Sequence, residues 1–187
     1  NFQLMKFAGE NGVAAYGTIM YVNFIFIAIF LGYSIGSAPI ISFHYGAKND
    51  NELKNLFKKS ISLIGSWGIM LFVIAQLIAG PLAKLFVGYN ADLFLMTKHG
   101  FQIFCFAFLI NGFNIFGSSF FTALNNGLIS AAISFLRTLV FQLSVVLILP
   151  MILGINGIWI SVAIAELLTL CVTVTCLIRK RKVYHYI

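Results

Sequence analysis

The sequence predicts an all-α integral membrane protein with five transmembrane helices preceded by a helix remnant. Three observations predict it. Of 187 residues, 60% are hydrophobic and 9% charged, against roughly 25% charged in soluble domains. Stretches free of Asp, Glu, Lys and Arg recur at the ~20-residue length that crosses a bilayer: between Glu10 and Lys48, between Lys59 and Lys84, between Lys98 and Arg137, and on to Ile178 with only Glu166 intervening. The formal charge of +7 is gathered in short clusters between these stretches. Loop cations of membrane proteins are distributed in this way, whereas a nucleic-acid binder presents a basic groove interleaved with aromatics.

Residues 1–12 read as the end of an earlier helix and a loop. The first span is expected over about 13–43, longer than a bilayer needs, with the excess absorbed by tilt or by a kink at Pro39, whose missing amide donor bends or ends a helix. Ala28, Gly32 and Gly36 lie four apart on one face, a ridge that lets another helix approach backbone to backbone. The loop that follows carries Lys48, Asp50, Glu52, Lys54, Lys58 and Lys59, with Asp50 and Lys54 spaced as an i,i+4 ion pair.

The second span is expected over about 60–79, stopped by Gly80-Pro81, with Leu82–Val87 as a short interfacial helix and Gly88-Tyr89-Asn90 as a turn. The third runs over about 100–123 to a turn at Asn125-Asn126-Gly127. The fourth covers about 128–151, with Pro150 near its end. A tight turn at Gly154–Gly157 leads to the fifth, about 158–178, and then to Arg179-Lys180-Arg181-Lys182. Five spans put the 46–59 loop and the 179–187 tail on one side. The excess of Lys and Arg there predicts that this side is cytoplasmic and that the chain starts outside. An odd number of spans starting outside, with no initiator methionine, predicts a piece of a larger protein.

Charges at membrane depth are costly, about 3 kcal/mol or more each, so Arg137 and Glu166 stand out. Antiparallel neighbouring helices bring them within reach of each other, each on a polar stripe: Ser130, Ser134, Arg137 and Ser144 on one, Glu166, Thr169 and Thr173 on the other. They are candidates for a coupling carboxylate or for a structural pair pinning two helices. The structural role is favoured, because a carboxylate beside a guanidinium is a poor proton carrier. On the third span Asn111, Asn114, Ser118 and Thr122 share a face beside Phe104 and Phe108. An apolar wall with a few amide and hydroxyl contacts suits a cavity for amphipathic molecules, but interhelical hydrogen bonding is the favoured reading. Asn23, Ser34 and Ser37 on the first span have the same two readings.

Cys105, Cys171 and Cys176 lie within apolar spans at no metal-ligand spacing, so neither a disulfide framework nor a metal site is expected. HExxH, GxSxG, Walker and GxGxxG patterns are absent, and no enzyme activity is expected.

The ordered features resemble the C-terminal lobe of multidrug and toxic compound extrusion (MATE) transporters. They are the small-residue helix ending in Pro39-Ile40-Ile41-Ser42 and Tyr45-Gly46-Ala47-Lys48-Asn49, the basic loop, a span with Asn111 and Asn114, Arg137 early in the next, and Gly157-Ile158-Trp159 opening the last, with Ala165-Glu166 inside it. The resemblance covers essentially the whole chain. It implies one of two six-helix bundles around a central cavity, residues 1–187 forming most of the C-terminal bundle and the N-terminal six-helix lobe lying outside this sequence. It further implies export of cationic amphipathic drugs or metabolites across the plasma (inner) membrane in exchange for Na⁺ or H⁺, with no cofactor and no nucleic-acid partner. The chain has Ala38 where the family often has Gln, and Phe43-His44 where it often has Tyr-Asn. The third span offers Asn111 and Asn114 where many members carry a coupling carboxylate, so the ion stays open between Na⁺ and H⁺. Two alternatives stand beside this reading: a flippase for lipid-linked sugars of the same superfamily, and a non-transporting helical subunit of a membrane complex.

Overall fold

The computed structural model describes residues 2–186, and every element in it is helical. Five helices are long and apolar enough to cross a membrane: Phe2–Gly46, Asp50–Val87, Ala91–Ala123, Gly127–Leu153 and Ile155–Tyr184. The first, second and last are α1, α2 and α7. The third consists of α3 (Ala91–Phe104) and α4 (Phe108–Ala123), joined through a 3₁₀ turn at Cys105–Ala107. The fourth consists of α5 (Gly127–Phe135) and α6 (Leu143–Leu153), joined by a π-helical stretch at Leu136–Gln142. The chain is a multi-pass membrane protein.

Local chemistry sets the boundaries. Asn49 caps α2 by accepting from the Glu52 amide, Asn90 caps α3 by accepting from Asp92 and Leu93, and Asn126 caps α5 by accepting from Ile129. Each supplies an acceptor to amides that the first helical turn leaves unpaired. Gly154 turns the chain from α6 into α7 in a single residue at φ 58°, a backbone region essentially reserved for glycine.

Several expected boundaries move. In α1 the backbone leaves helical geometry only at Gly9 (φ 59°, ψ −152°), so the expected loop through residue 12 shrinks to one glycine. The helix does not end at Pro39 but runs on to Gly46. Nor does α2 stop at Gly80-Pro81; it continues to Val87 and includes the segment expected as a separate interfacial helix. In lipid a backbone group has no water to fall back on, so a helix survives one missing donor more readily than it opens. The last helix likewise carries the basic tail, reaching Tyr184. Asp50 and Lys54 form no ion pair; among the described residues that bond belongs to Arg137 and Glu166 alone.

The core is built around α4, which packs on α1, α2, α5 and α7. Phe108, Phe116, Phe120 and Phe121 on α4 are fully buried, with Phe104 and Trp159 close by. Between apolar helices in lipid, association rests on close packing, and the glycines of α4 allow it. An added Cβ at Gly112 would sit 2.6 Å from both Phe30 and Ile64, and one at Gly117 would strike Thr173. At Gly32 and Gly36 an added Cβ meets nothing within 4 Å, so the predicted ridge on α1 is open in this chain.

The 47–49 loop, the 124–126 turn and the C-terminal end gather at one end of the bundle. The Tyr45 and Tyr184 rings lie 5.6 Å apart, Asn126 Nδ2 donates to the Tyr184 hydroxyl at 2.7 Å, and Tyr186 packs between Phe57 and Phe120. The buried Tyr186 hydroxyl donates to the Leu177 carbonyl at 2.7 Å, and burial pushes this phenol above its ordinary range.

Candidate functional site

Arg137 and Glu166 meet between the π-helical stretch and α7. Arg137 Nε and Nη2 both donate to Glu166 Oε1, at 2.8 and 2.7 Å. Asn114 Nδ2 donates to Glu166 Oε2 at 2.7 Å and to the Glu166 carbonyl at 2.8 Å. Thr173 donates to Asn114 Oδ1 at 3.1 Å, fixing that amide's orientation. Asn111, with its amide nitrogen turned toward the acceptors around it, reaches Glu166 Oε1 at 3.0 Å and the Ala107 carbonyl at 3.2 Å. The Glu166 side chain is 5% exposed and that of Arg137 22%. A buried carboxylate is tolerable only when its oxygens are met by donors and its charge by a counter-ion; here both conditions hold.

The π-helical stretch shapes this meeting. Its i→i+5 bonding adds a residue per turn, so side chains lag the α-helical phase. Arg137 points to Glu166, and Thr138 and Gln142 line the cavity beside it. Ser144, expected on the Arg137 face from α-helical spacing, is exposed and apart from the cluster. Nothing in the periodicity of Leu136–Gln142 announces the change. Polar Thr138 and Gln142 in a lipid-length run were its one available sign.

Two cavities share Arg137. The first, about 120 Å³, is lined by Tyr16, Met20, Asn23, Phe104, Asn111 and Glu166, with Thr138 and Gln142 at its edge. Asn23 is buried there with its Oδ1 unpartnered; its Nδ2 reaches only the Met20 sulfur at 3.7 Å. The second, about 300 Å³, is lined by Ser34, Ser118, Ser119, Thr122 and Ser134. Ser118 bonds to the hydroxyls of Ser130 and Ser134 at 2.9 and 3.0 Å, and Thr122 donates to Ser130 at 2.8 Å. The Ser34 hydroxyl is buried without a partner, while its carbonyl accepts from Ser37 and Ser119.

The residues singled out in the sequence therefore divide. Asn111, Asn114, Arg137 and Glu166 form one bonded cluster, with Asn23 across the first cavity. Ser34 and Ser118 line the second, and Ser37 stands behind Ser34. The third-span stripe serves both: its asparagines face α7, its hydroxyls α5. Tyr16, Met20 and Ser119 add to the walls; nothing in their sequence context distinguishes them from packing residues. No cluster of metal-ligating side chains occurs among the described residues.

Comparison with known proteins gives one family model, described as MatE, which matches residues 1–148. No curated protein matches the chain in sequence. The fold is similar to that of the Vibrio cholerae MATE transporter VcmN in its bent form, with a TM-score of 0.86 and 19% identity over 98% of this chain and 42% of that one. An inward-facing multidrug resistance MATE family transporter of the MOP superfamily superimposes at 0.89, with 19% identity, over 97% of this chain and 42% of that one. A Pyrococcus furiosus MOP superfamily transporter, described as having a binding pocket of reversed polarity that suggests a different function, gives 0.89 and 20% identity over 98% and 41%. The chain thus spans about 42% of the length of the solved transporters that it matches.

Proposed function

The chain belongs to the MatE family, and from that premise we propose that it is the C-terminal bundle of a secondary active antiporter exporting cationic amphipathic drugs or metabolites in exchange for Na⁺ or H⁺. In this reading residues 1–187 work with an N-terminal six-helix lobe, in the plasma (inner) membrane, with the basic 46–59 loop and the C-terminus on the cytoplasmic side. The observation that carries the substrate class is the first cavity. Its walls include the aromatic residues Tyr16 and Phe104, a residue type whose ring faces attract cations. The Arg137–Glu166 pair in its lining is neutral overall, and the Asn23 carbonyl oxygen there lacks a donor. An ammonium N–H supplies that missing donor.

The complete set of donors on Glu166 supports a positioning role for this carboxylate, with Arg137 as its permanent partner, over a role as the coupling group. Asn111 and Asn114 hold it, and Ser34, Ser37 and Ser118 belong to the neighbouring hydroxyl wall. That second cavity, with hydroxyls and a guanidinium edge, favours one other reading, a flippase for lipid-linked sugars, because sugar and phosphate oxygens suit such a lining.

The test is to express the full-length protein in a drug-sensitive, pump-deficient bacterium and follow efflux of a cationic dye with and without a Na⁺ gradient. Energised efflux is expected, and its Na⁺ dependence selects the ion. A well-inserted protein that moves no dye turns the reading to the flippase. Glu166→Gln removes the counter-ion of Arg137 and is expected to lower stability, but protein that stays folded is expected to keep coupled efflux, since the amide oxygen still accepts from Arg137. Complete loss of coupling in a stably folded Glu166→Gln protein would make the carboxylate the coupling group instead.

A further inference from the structure

We propose that the groove between α2 and α7 is a binding site for an anionic phospholipid, with one acyl chain along the groove and the headgroup at Lys54 and Lys58. Both helices pack on α4 but not on each other, which leaves an open slot with α4 as its floor. The deeper part, about 350 Å³, is lined by Phe57, Ile61, Phe113, Leu170, Val174 and Leu177. Its one polar lining residue, Thr173, has its hydroxyl already committed to Asn114. The part nearer the bundle end, about 390 Å³, shares Phe57 and Ile61 with the first and adds Tyr186, Lys54 and Lys58. The two parts adjoin at Phe57 and Ile61, and together they are apolar at membrane depth and basic at the mouth.

Charge complementarity selects the occupant. Among the described residues neither Lys54 nor Lys58 is paired with a carboxylate, although Asp50 lies one turn from Lys54. Arg179–Lys182 lies at the same end of the bundle and strengthens the positive field there. A neutral lipid fills the apolar slot equally well but leaves both ammonium groups unanswered; basic pockets beside membrane helices bind anionic headgroups. Thr173 places an acyl chain one residue from the Asn114–Glu166 cluster.

The experiment is native mass spectrometry of the full-length protein in detergent, titrated with phosphatidylglycerol and with phosphatidylcholine of the same acyl chains. Phosphatidylglycerol is expected to be retained preferentially. Lys54→Ala/Lys58→Ala is expected to lower that preference about five-fold per lysine. Lys48→Ala/Lys59→Ala makes the same charge change outside the groove and is expected to keep it. Val174→Trp, which fills the slot, is expected to lower retention of both lipids. The proposal is overturned if the two lysine pairs have equal effects, which marks diffuse surface attraction. It is also overturned if the wild type shows no preference, or if Val174→Trp changes nothing, which means that another helix of the full protein or nothing at all occupies the groove.

Discussion

The third and fourth membrane helices are both long and apolar enough to cross a bilayer, yet their situations are opposite. In their most apolar 18-residue windows, 61% of residues are buried in Ala91–Ala123 and 6% in Gly127–Leu153. The third is held on all sides by contact: Phe108, Phe116 and Phe120 are buried, and Gly112 and Gly117 bring neighbours against its backbone. The fourth lies at the margin: it packs on α4 and α7, with Gly157 close against the Leu149 and Pro150 backbone, and adds polar contacts, Arg137 to Glu166 and Ser130 and Ser134 to Ser118. The difference teaches that a helix in the core is positioned by shape, whereas a helix at its margin, packed on one side only, relies in addition on a few hydrogen bonds made in lipid.

The largest effect expected from this contrast comes from removing the charge that holds the fourth helix. Arg137→Met leaves Glu166 buried without a counter-ion and is expected to cost about 3–5 kcal/mol. The loss is read as a fall in the melting temperature of the full-length protein in detergent. Replacing both partners, Arg137→Met with Glu166→Gln, is expected to recover most of it, because no unpaired charge then remains. A single variant as stable as the wild type would mean that the fourth helix is positioned by something other than the pair.

The next effect belongs to the third helix. Gly112→Leu forces a side chain into Phe30 and Ile64 and is expected to cost about 1–3 kcal/mol or more. Gly32→Leu, on the open ridge of α1, is expected to stay within about 0.5 kcal/mol. A comparable loss at Gly32 in the full-length protein would show that this ridge is covered by a helix outside the chain. The pair of substitutions also marks where sequence reading stops. Both helices have small residues at packing intervals, and spacing reveals that a ridge exists without naming what lies against it.

Local turn chemistry was legible. Gly88-Tyr89-Asn90, Asn125-Asn126-Gly127 and Gly154 break the helices where expected, because each break is decided by its own residues. The same reading failed at Gly80-Pro81, where the lipid environment overrides a residue that ends helices in water. Arg137 and Glu166 were legible as partners because charges in apolar runs have few alternatives. Their donors Asn111 and Asn114 were legible only as a shared face, since an amide stripe reads identically whether it lines a cavity or bonds a carboxylate.

The π-helical stretch is the feature that sequence periodicity missed, and the smallest expected effect tests it. On an unbroken α-helix Ser134, Arg137 and Ser144 share one face, and alanine at either serine should have similar consequences. Both serines are exposed, but with the i→i+5 stretch between them Ser134 bonds to Ser118 at 3.0 Å while Ser144 lies away from that cluster. Ser134→Ala is therefore expected to cost about 0.6 kcal/mol, the average for a hydrogen bond between membrane helices. Ser144→Ala should be close to neutral, because it removes no side-chain bond. The comparison is made by melting both variants in one detergent, with each repeated on the Arg137→Met background. There the Ser134 effect should grow, since the hydroxyl cluster is then the remaining polar tie of this helix. Equal effects at both serines would mean that the fourth helix is α-helical throughout, and that Arg137 reaches Glu166 without the extra residue per turn.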